Sequence, residues 1–135
     1  MKAIKKIVAI GPESTGKSTL CESLAKHYDT EWCPEFAREY LLTNGIDYCF
    51  DDLLNIAKGQ LELEEKYVLQ VTNKKIPNQL LFIDTDMYVM KVWSEFVFNK
   101  CEQLILDQIA ERRYNLYLLC KPDLPWVKDE LREYP

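Results

Sequence analysis

One stretch constrains this chain more than any other. Gly11 to Ser18 reads GPESTGKS; the apolar run IVAI precedes it, and the helix-patterned KSTLCESLAKHY starts at Lys17. It fits G-x-x-x-x-G-K-[ST] at every defined position. Gly11 and Gly16 let the backbone curl so that successive N–H groups point at one anion. The helix behind them adds the positive end of its dipole. Lys17 is placed to reach the β- and γ-phosphates of a nucleotide, and the Ser18 hydroxyl to ligate Mg²⁺. Glu13 and Ser14 complete the loop, while Thr15 and Thr19 support it and the α-phosphate. Such a loop works only between a buried strand and a helix.

The rest of the chain repeats that alternation. Residues 4 to 10, the short segment TEWCPEF, LLFIDTD and NLYLLC read as strands, with helical patterns between them. Four strands alternating with helices imply a parallel α/β sheet covered on both faces, the P-loop nucleoside triphosphate hydrolase fold. Residues 51 to 73 read as one long helix. Asp51 or Asp52 can cap it, and Leu54, Ala57, Leu61, Val68 and Val71 share a stripe. Gly59 costs this helix about 1 kcal/mol relative to Ala, so something must pack closely there, a neighbouring helix or a substrate base. A single domain over residues 1–135 is expected, with a lid region from about residue 121. The chain ends at Pro135 in a charged segment, so the C-terminal part reads as incomplete, lacking a last strand and helix.

Composition narrows the class further. The 135 residues carry a net charge of −5 and are 47% hydrophobic. An acidic balance argues against a nucleic-acid partner. No run is apolar enough for a leader or a membrane span, which predicts a cytoplasmic protein without membrane insertion. The five cysteines, Cys21, Cys33, Cys49, Cys101 and Cys120, form no C-x-x-C pair and read as reduced, mostly buried thiols. A homo-oligomer is left open.

The remaining candidates cluster at strand ends. Asp84 closes the apolar strand LLFID, where a carboxylate holds Mg²⁺ directly or through water. Asp86 follows at the mouth of the same cleft, as a metal or substrate contact or as a helix cap. Glu35 lies just past the second strand, beside the phosphate loop if the sheet is parallel, where it can accept the proton of a phosphoryl acceptor. Arg38 can bind an acceptor or pair with a neighbouring acid. Arg132 is in the right place along the chain for a lid arginine over the phosphates, or it lies on a solvated helix surface. Trp126 reads as an anchor for that segment, and Tyr88 and Trp93 as core or pocket wall.

GPESTGKSTL, PEFAREYL, AKGQ, LLFIDTD and LPWVKDELR occur in this order and at spacing that resembles the ribosylnicotinamide kinase domain of the bacterial NadR proteins. The resemblance covers nearly the whole chain. It implies ATP-dependent phosphorylation of the 5′-hydroxyl of nicotinamide riboside to nicotinamide mononucleotide, in NAD biosynthesis or salvage. It implies that Gly16, Lys17, Ser18 and Thr19 hold ATP and Mg²⁺, and that Asp84 serves the metal. Glu35, Arg38, Gln60 and Asp86 would surround the riboside, and Arg132 would belong to the lid. His27 is the one histidine, so the two-histidine adenylyltransferase signature of multidomain relatives is not met, and no room precedes the loop for a DNA-binding domain. A stand-alone kinase or an isolated domain is expected.

Other nucleotide machines fit less well. A recombinase has a similarly worded loop, but there the acidic strand follows much sooner; here Asp84 lies 67 residues after Lys17. A GTPase needs N-K-x-D, and TNKKIPN has Ile76 where the Asp should stand. A kinase for another nucleoside or nucleotide, and a non-catalytic ATP-binding regulator, are the alternatives.

Overall fold

The structure is a computed structural model that describes residues 4–11, 16–74 and 79–120. Its elements are β1 (Lys5–Ile10), α1 (Lys17–His27), β2 (Glu31–Cys33), α2 (Phe36–Asn44) and α3 (Phe50–Asn73). β3 (Leu80–Asp84), α4 (Met87–Phe98), α5 (Gln103–Glu111) and β4 (Leu116–Leu119) follow. All strand pairs are parallel, in the order β2-β3-β1-β4. This is the expected sheet, and both of its faces are covered.

Strand pleating sorts the side chains. Ala9 and Phe82 face α1, where they pack with Cys21 and Ala25. Val8, Cys33, Leu81 and Ile83 face α3 and meet Val71. Alternate residues of β1 thus serve opposite layers, because successive side chains point to opposite faces. A third cluster lies outside the sheet: Ala37, Leu53, Ile56, Ala57, Met87, Met90 and Ile105 join α2, α3, α4 and α5.

That third cluster explains why α3 departs from its expected stripe. Its buried positions are Leu53, Ile56, Ala57, Gln60, Glu64 and Val71. Leu61 and Val68 are only partly buried, and Leu54 is half-exposed. The N-terminal half of the helix serves other helices and the C-terminal half serves the sheet, so the buried face turns along its length. The cap also differs from expectation. Cys49 is the N-cap, and Asp52, three residues on, accepts its backbone N–H at 2.8 Å. Asp52 therefore stands inside the first turn as the reciprocal member of a capping box.

Glu64 is a buried carboxylate on α3, 1% exposed. It is fully engaged: Lys6 Nζ donates at 3.2 Å, Tyr114 OH at 2.7 Å, and Arg112 from the end of α5. Buried charge persists only when paired and hydrogen-bonded in this way. The network ties β1, α3 and the lead-in to β4 together. Burial pushes the Tyr114 phenol well above its usual range, and the neighbouring Glu64 charge adds to this.

None of the five cysteines forms a disulfide: Cys21 and Cys33 are buried, Cys101 and Cys120 half-buried, and Cys49 exposed. Burial pushes the Cys21 and Cys33 thiols up to about 12, so these two behave as small apolar groups. No helix among the described residues is long and apolar enough to cross a membrane.

Candidate active site

The phosphate loop leaves β1 at Gly11 and enters α1 at Gly16. Gly11 has φ +146°, and a Cβ there would fall 2.6 Å from the Cys120 carbonyl oxygen. The reason is the neighbouring strand: Cys120 N–H donates to Ile10 O at 2.8 Å, drawing the end of β4 against the start of the loop. Gly16 is the N-cap of α1, with φ 78° and ψ 22°, a left-handed conformation open to glycine at no steric cost. Its carbonyl accepts Leu20 N–H at 2.9 Å, which starts the helix. Glu13, Ser14, Thr15 and Arg132 lie outside the described residues, as do Trp126 and the lid region.

Lys17, Glu35, Asp84 and Thr85 meet at the C-terminal ends of β1, β2 and β3. The parallel register causes this. Ala9 pairs with Asp84, and Cys33 pairs with Ile83, so all three strands end at one level. Lys17 Nζ lies 3.9 Å from Glu35 Oε2 and donates to Thr85 Oγ1 at 3.2 Å. Thr85 Oγ1 in turn lies 3.0 Å from Glu35 Oε2 and 3.2 Å from Asp84 Oδ1. Ser18 stands at the exposed start of α1, its hydroxyl near enough to Asp84 to favour the charged carboxylate. Thr19 is exposed one residue further on.

Asp84 is 3% exposed. Burial is the main cause that pushes its carboxyl up to about 6, with the Glu35 charge adding; Lys17 and the Thr85 and Ser18 hydroxyls act in the opposite direction. A carboxylate held at this cost, beside a serine hydroxyl and at the mouth of a phosphate loop, suits a cation. The donor set is one carboxylate and one hydroxyl, which fits Mg²⁺, an ion that takes few protein oxygens and completes its shell with phosphates and water.

Thr85 was not singled out by the sequence. It has φ 79°, and a β-branched side chain rarely enters that region. Holding it there costs on the order of 1–3 kcal/mol. Its N–H donates to Ala9 O at 3.0 Å, extending the β1–β3 ladder by one bond past the strand. The only local hint is its place between two acids in DTD; nothing in that tripeptide encodes a left-handed turn.

The acceptor-side candidates separate. Glu35 is the N-cap of α2, and its side chain is 34% exposed at the cleft. Arg38 stands on the exposed side of the same helix, as does Glu39. Asp86 is the N-cap of α4: its Oδ1 accepts Val89 N–H at 3.1 Å, and burial raises its carboxyl. Its Oδ2 is buried without a partner among the described residues.

Gln60 has other partners than the riboside contact expected of it. It is 2% exposed, its Oε1 accepts Phe36 N–H at 2.7 Å, and its Nε2 reaches Cys33 Sγ at 3.8 Å. The amide thus fixes the start of α2 directly after Glu35. Gly59 beside it lies under the Phe36 ring, so helix packing accounts for the glycine. Trp93 is half-buried and donates to Tyr48 OH at 2.8 Å, a wall of the helical cluster. Tyr88 is 47% exposed and stands edge-on to Tyr117, not in the core.

A parallel sheet in the order β2-β3-β1-β4, with a glycine-bounded loop after β1 and a buried acid ending β3, defines the P-loop nucleotide-binding class. Within that class the chain belongs to the AAA domain family, whose model matches residues 6–135. It is 29% identical over 133 residues to the trifunctional NAD biosynthesis/regulator protein NadR of Escherichia coli (strain K12), covering 96% of this chain and 31% of that protein. The same protein of Salmonella typhimurium (strain LT2) matches at 29% with the same coverage. The chain therefore spans about a third of the length of these relatives. The crystal structure of a NadR protein in complex with NR superposes with a TM-score of 0.75 at 29% identity, covering 87% of this chain and 34% of that one. A NadR complex with NAD and AMP-PNP gives 0.73 at 27% identity, with the same coverage.

Proposed function

We propose that this protein is an ATP-dependent kinase that phosphorylates the 5′-hydroxyl of nicotinamide riboside, yielding nicotinamide mononucleotide. The observation that carries the reading is the meeting of Lys17, Glu35 and Asp84 at one end of the sheet. Their closeness supports a reading in which Lys17 serves the phosphates, Glu35 the acceptor and Asp84 the metal around one cleft. The likeness to NadR supports the choice of acceptor, since one of those structures holds NR and another holds AMP-PNP.

The roles follow from placement. Lys17 and the backbone amides after Gly11 receive the phosphates and offset the charge of the transferring group. Ser18 and Asp84 would hold Mg²⁺, which supplies further charge compensation there. Glu35 orients the acceptor hydroxyl. Its side chain opens to the cleft within reach of Lys17, whereas Asp86 is buried and one of its oxygens caps α4. Arg38, exposed on α2 about one helical turn along from Glu35, would contact the acceptor. Gln60 acts on Glu35 through the start of α2. Phosphoryl transfer passes through a loose transition state, so positioning and electrostatics outweigh base strength.

The test is a coupled assay of purified protein with ATP, Mg²⁺ and a panel of nucleosides. Formation of mononucleotide from nicotinamide riboside is expected. If another acceptor is phosphorylated and the riboside is not, the substrate assignment fails. If ATP binds and no acceptor is phosphorylated, the chain is a nucleotide-dependent regulator.

A further inference from the structure

We propose that Thr85 is a positioning residue whose hydroxyl holds the Lys17 ammonium and the Glu35 carboxylate in register across the cleft. Three charged groups surround this one oxygen: Lys17 Nζ at 3.2 Å, Glu35 Oε2 at 3.0 Å and Asp84 Oδ1 at 3.2 Å. A hydroxyl carries one proton and two acceptor sites. It accepts from Lys17 and donates to one carboxylate, of which Glu35 is the nearer. The three groups come from α1, the start of α2 and the end of β3, and Thr85 is the atom they share.

The backbone argues that the hydroxyl is the reason for the residue. The bond from Thr85 N–H to Ala9 O is made by the main chain and needs no side chain. Glycine adopts φ 79° freely, whereas a β-branched residue is strained there. A structural turn alone would be better served by glycine. Strain kept at such a position points to a side chain with a task.

The arrangement is also compatible with anion binding. An ammonium has three protons, and the bond to Thr85 uses one. The others stay available to a phosphate, so Lys17 need not leave Thr85 to do its work. Glu35 is meanwhile anchored on the acceptor side of the same oxygen. Donor-side and acceptor-side groups are thereby fixed relative to each other before any ligand arrives.

The kinetic part of this inference rests on the kinase reading above, and the binding part does not. The experiment compares Thr85→Gly, which removes both strain and hydroxyl, with Thr85→Ser, which keeps the hydroxyl. Affinity for AMP-PNP is measured by calorimetry with and without Mg²⁺, alongside thermal melting and kcat with nicotinamide riboside. For Thr85→Gly, affinity is expected to fall about tenfold in both conditions, as loss of a charge-assisted hydrogen bond implies. Its kcat falls about a hundredfold through misplacement of Glu35, while its melting temperature holds. Thr85→Ser stays within about threefold of the parent in affinity and rate, since the hydroxyl is what acts. Parent-like affinity and kcat in the glycine variant overturn the proposal. So does a serine variant as impaired as the glycine one. Should glycine unfold the protein, Thr85→Val, which keeps the shape without the hydroxyl, carries the same comparison. If the parent protein phosphorylates no nucleoside, the kinase reading fails, and the metal-free affinities still decide the role of Thr85.

Discussion

Gly59 offers a sharp test of how the acceptor side is held. A Cβ built at this position falls within 2.5 Å of Phe36 Cδ2 and Cζ, and closer still to Cε2. Two effects oppose each other in Gly59→Ala. Alanine in a helix interior gains about 1 kcal/mol over glycine. Overpacking costs typically about 1–3 kcal/mol, and so deep an overlap belongs at the upper end. Phe36 has little freedom to yield. Its ring packs against the cluster of Ala37, Leu53 and Met90, and its N–H is held by Gln60. Overpacking therefore wins by about 2 kcal/mol, a fall in Tm of roughly 8 °C for a chain of this size. The assay is thermal or urea unfolding of four proteins: parent, Gly59→Ala, Phe36→Ala and the double variant. In the Phe36→Ala background the clash is gone, so Gly59→Ala should there stabilise by about 1 kcal/mol, its helix propensity alone. The change of sign is the signature. Because Phe36 follows Glu35 directly, Gly59→Ala should also lower kcat more than it raises the KM for ATP. If Gly59→Ala raises Tm in the parent background, the close approach of Phe36 is not what keeps glycine at this position.

Further outcomes follow from the same geometry. Lys17→Ala should abolish phosphoryl transfer while leaving the far-ultraviolet circular dichroism unchanged; retained turnover contradicts the site assignment. Glu64→Ala strands Lys6, Arg112 and Tyr114 around an uncompensated gap and should cost about 3 kcal/mol, read as a lower urea midpoint at constant m-value. Glu35→Gln keeps the shape but removes the charge facing Lys17; it should reduce kcat at least about tenfold, with nucleotide affinity retained. In the folded protein a thiol reagent at neutral pH should label Cys49 first and leave Cys21 and Cys33 unmodified until the chain unfolds. Their raised pKa values leave no thiolate to react, and burial denies access.

Local pattern carried much of this protein. The phosphate loop, four strands, the long helix and the acid at the end of β3 are all written within short windows, because backbone conformation and alternation are set by near neighbours. They suffice for the P-loop class and, with the order of the longer segments, for the resemblance to NadR. The cap of α3 lies two or three residues before the expected Asp51 or Asp52 for a local reason: Asp52 is the reciprocal partner of the box and Cys49 the cap.

Tertiary structure decided the rest. Lys17 and Thr85 are 68 residues apart and Glu35 and Thr85 50 apart, and only the order β2-β3-β1 brings their strand ends level. The same register gave Gln60 to the start of α2 rather than to the cleft and turned Glu64 inward onto Lys6 and Arg112. It also left Glu35, not Asp86, open beside Lys17. A side chain's chemistry is fixed by its own atoms, but its role depends on which distant groups share its space. That sharing is settled by strand order and helix packing, and no window of neighbouring residues contains it.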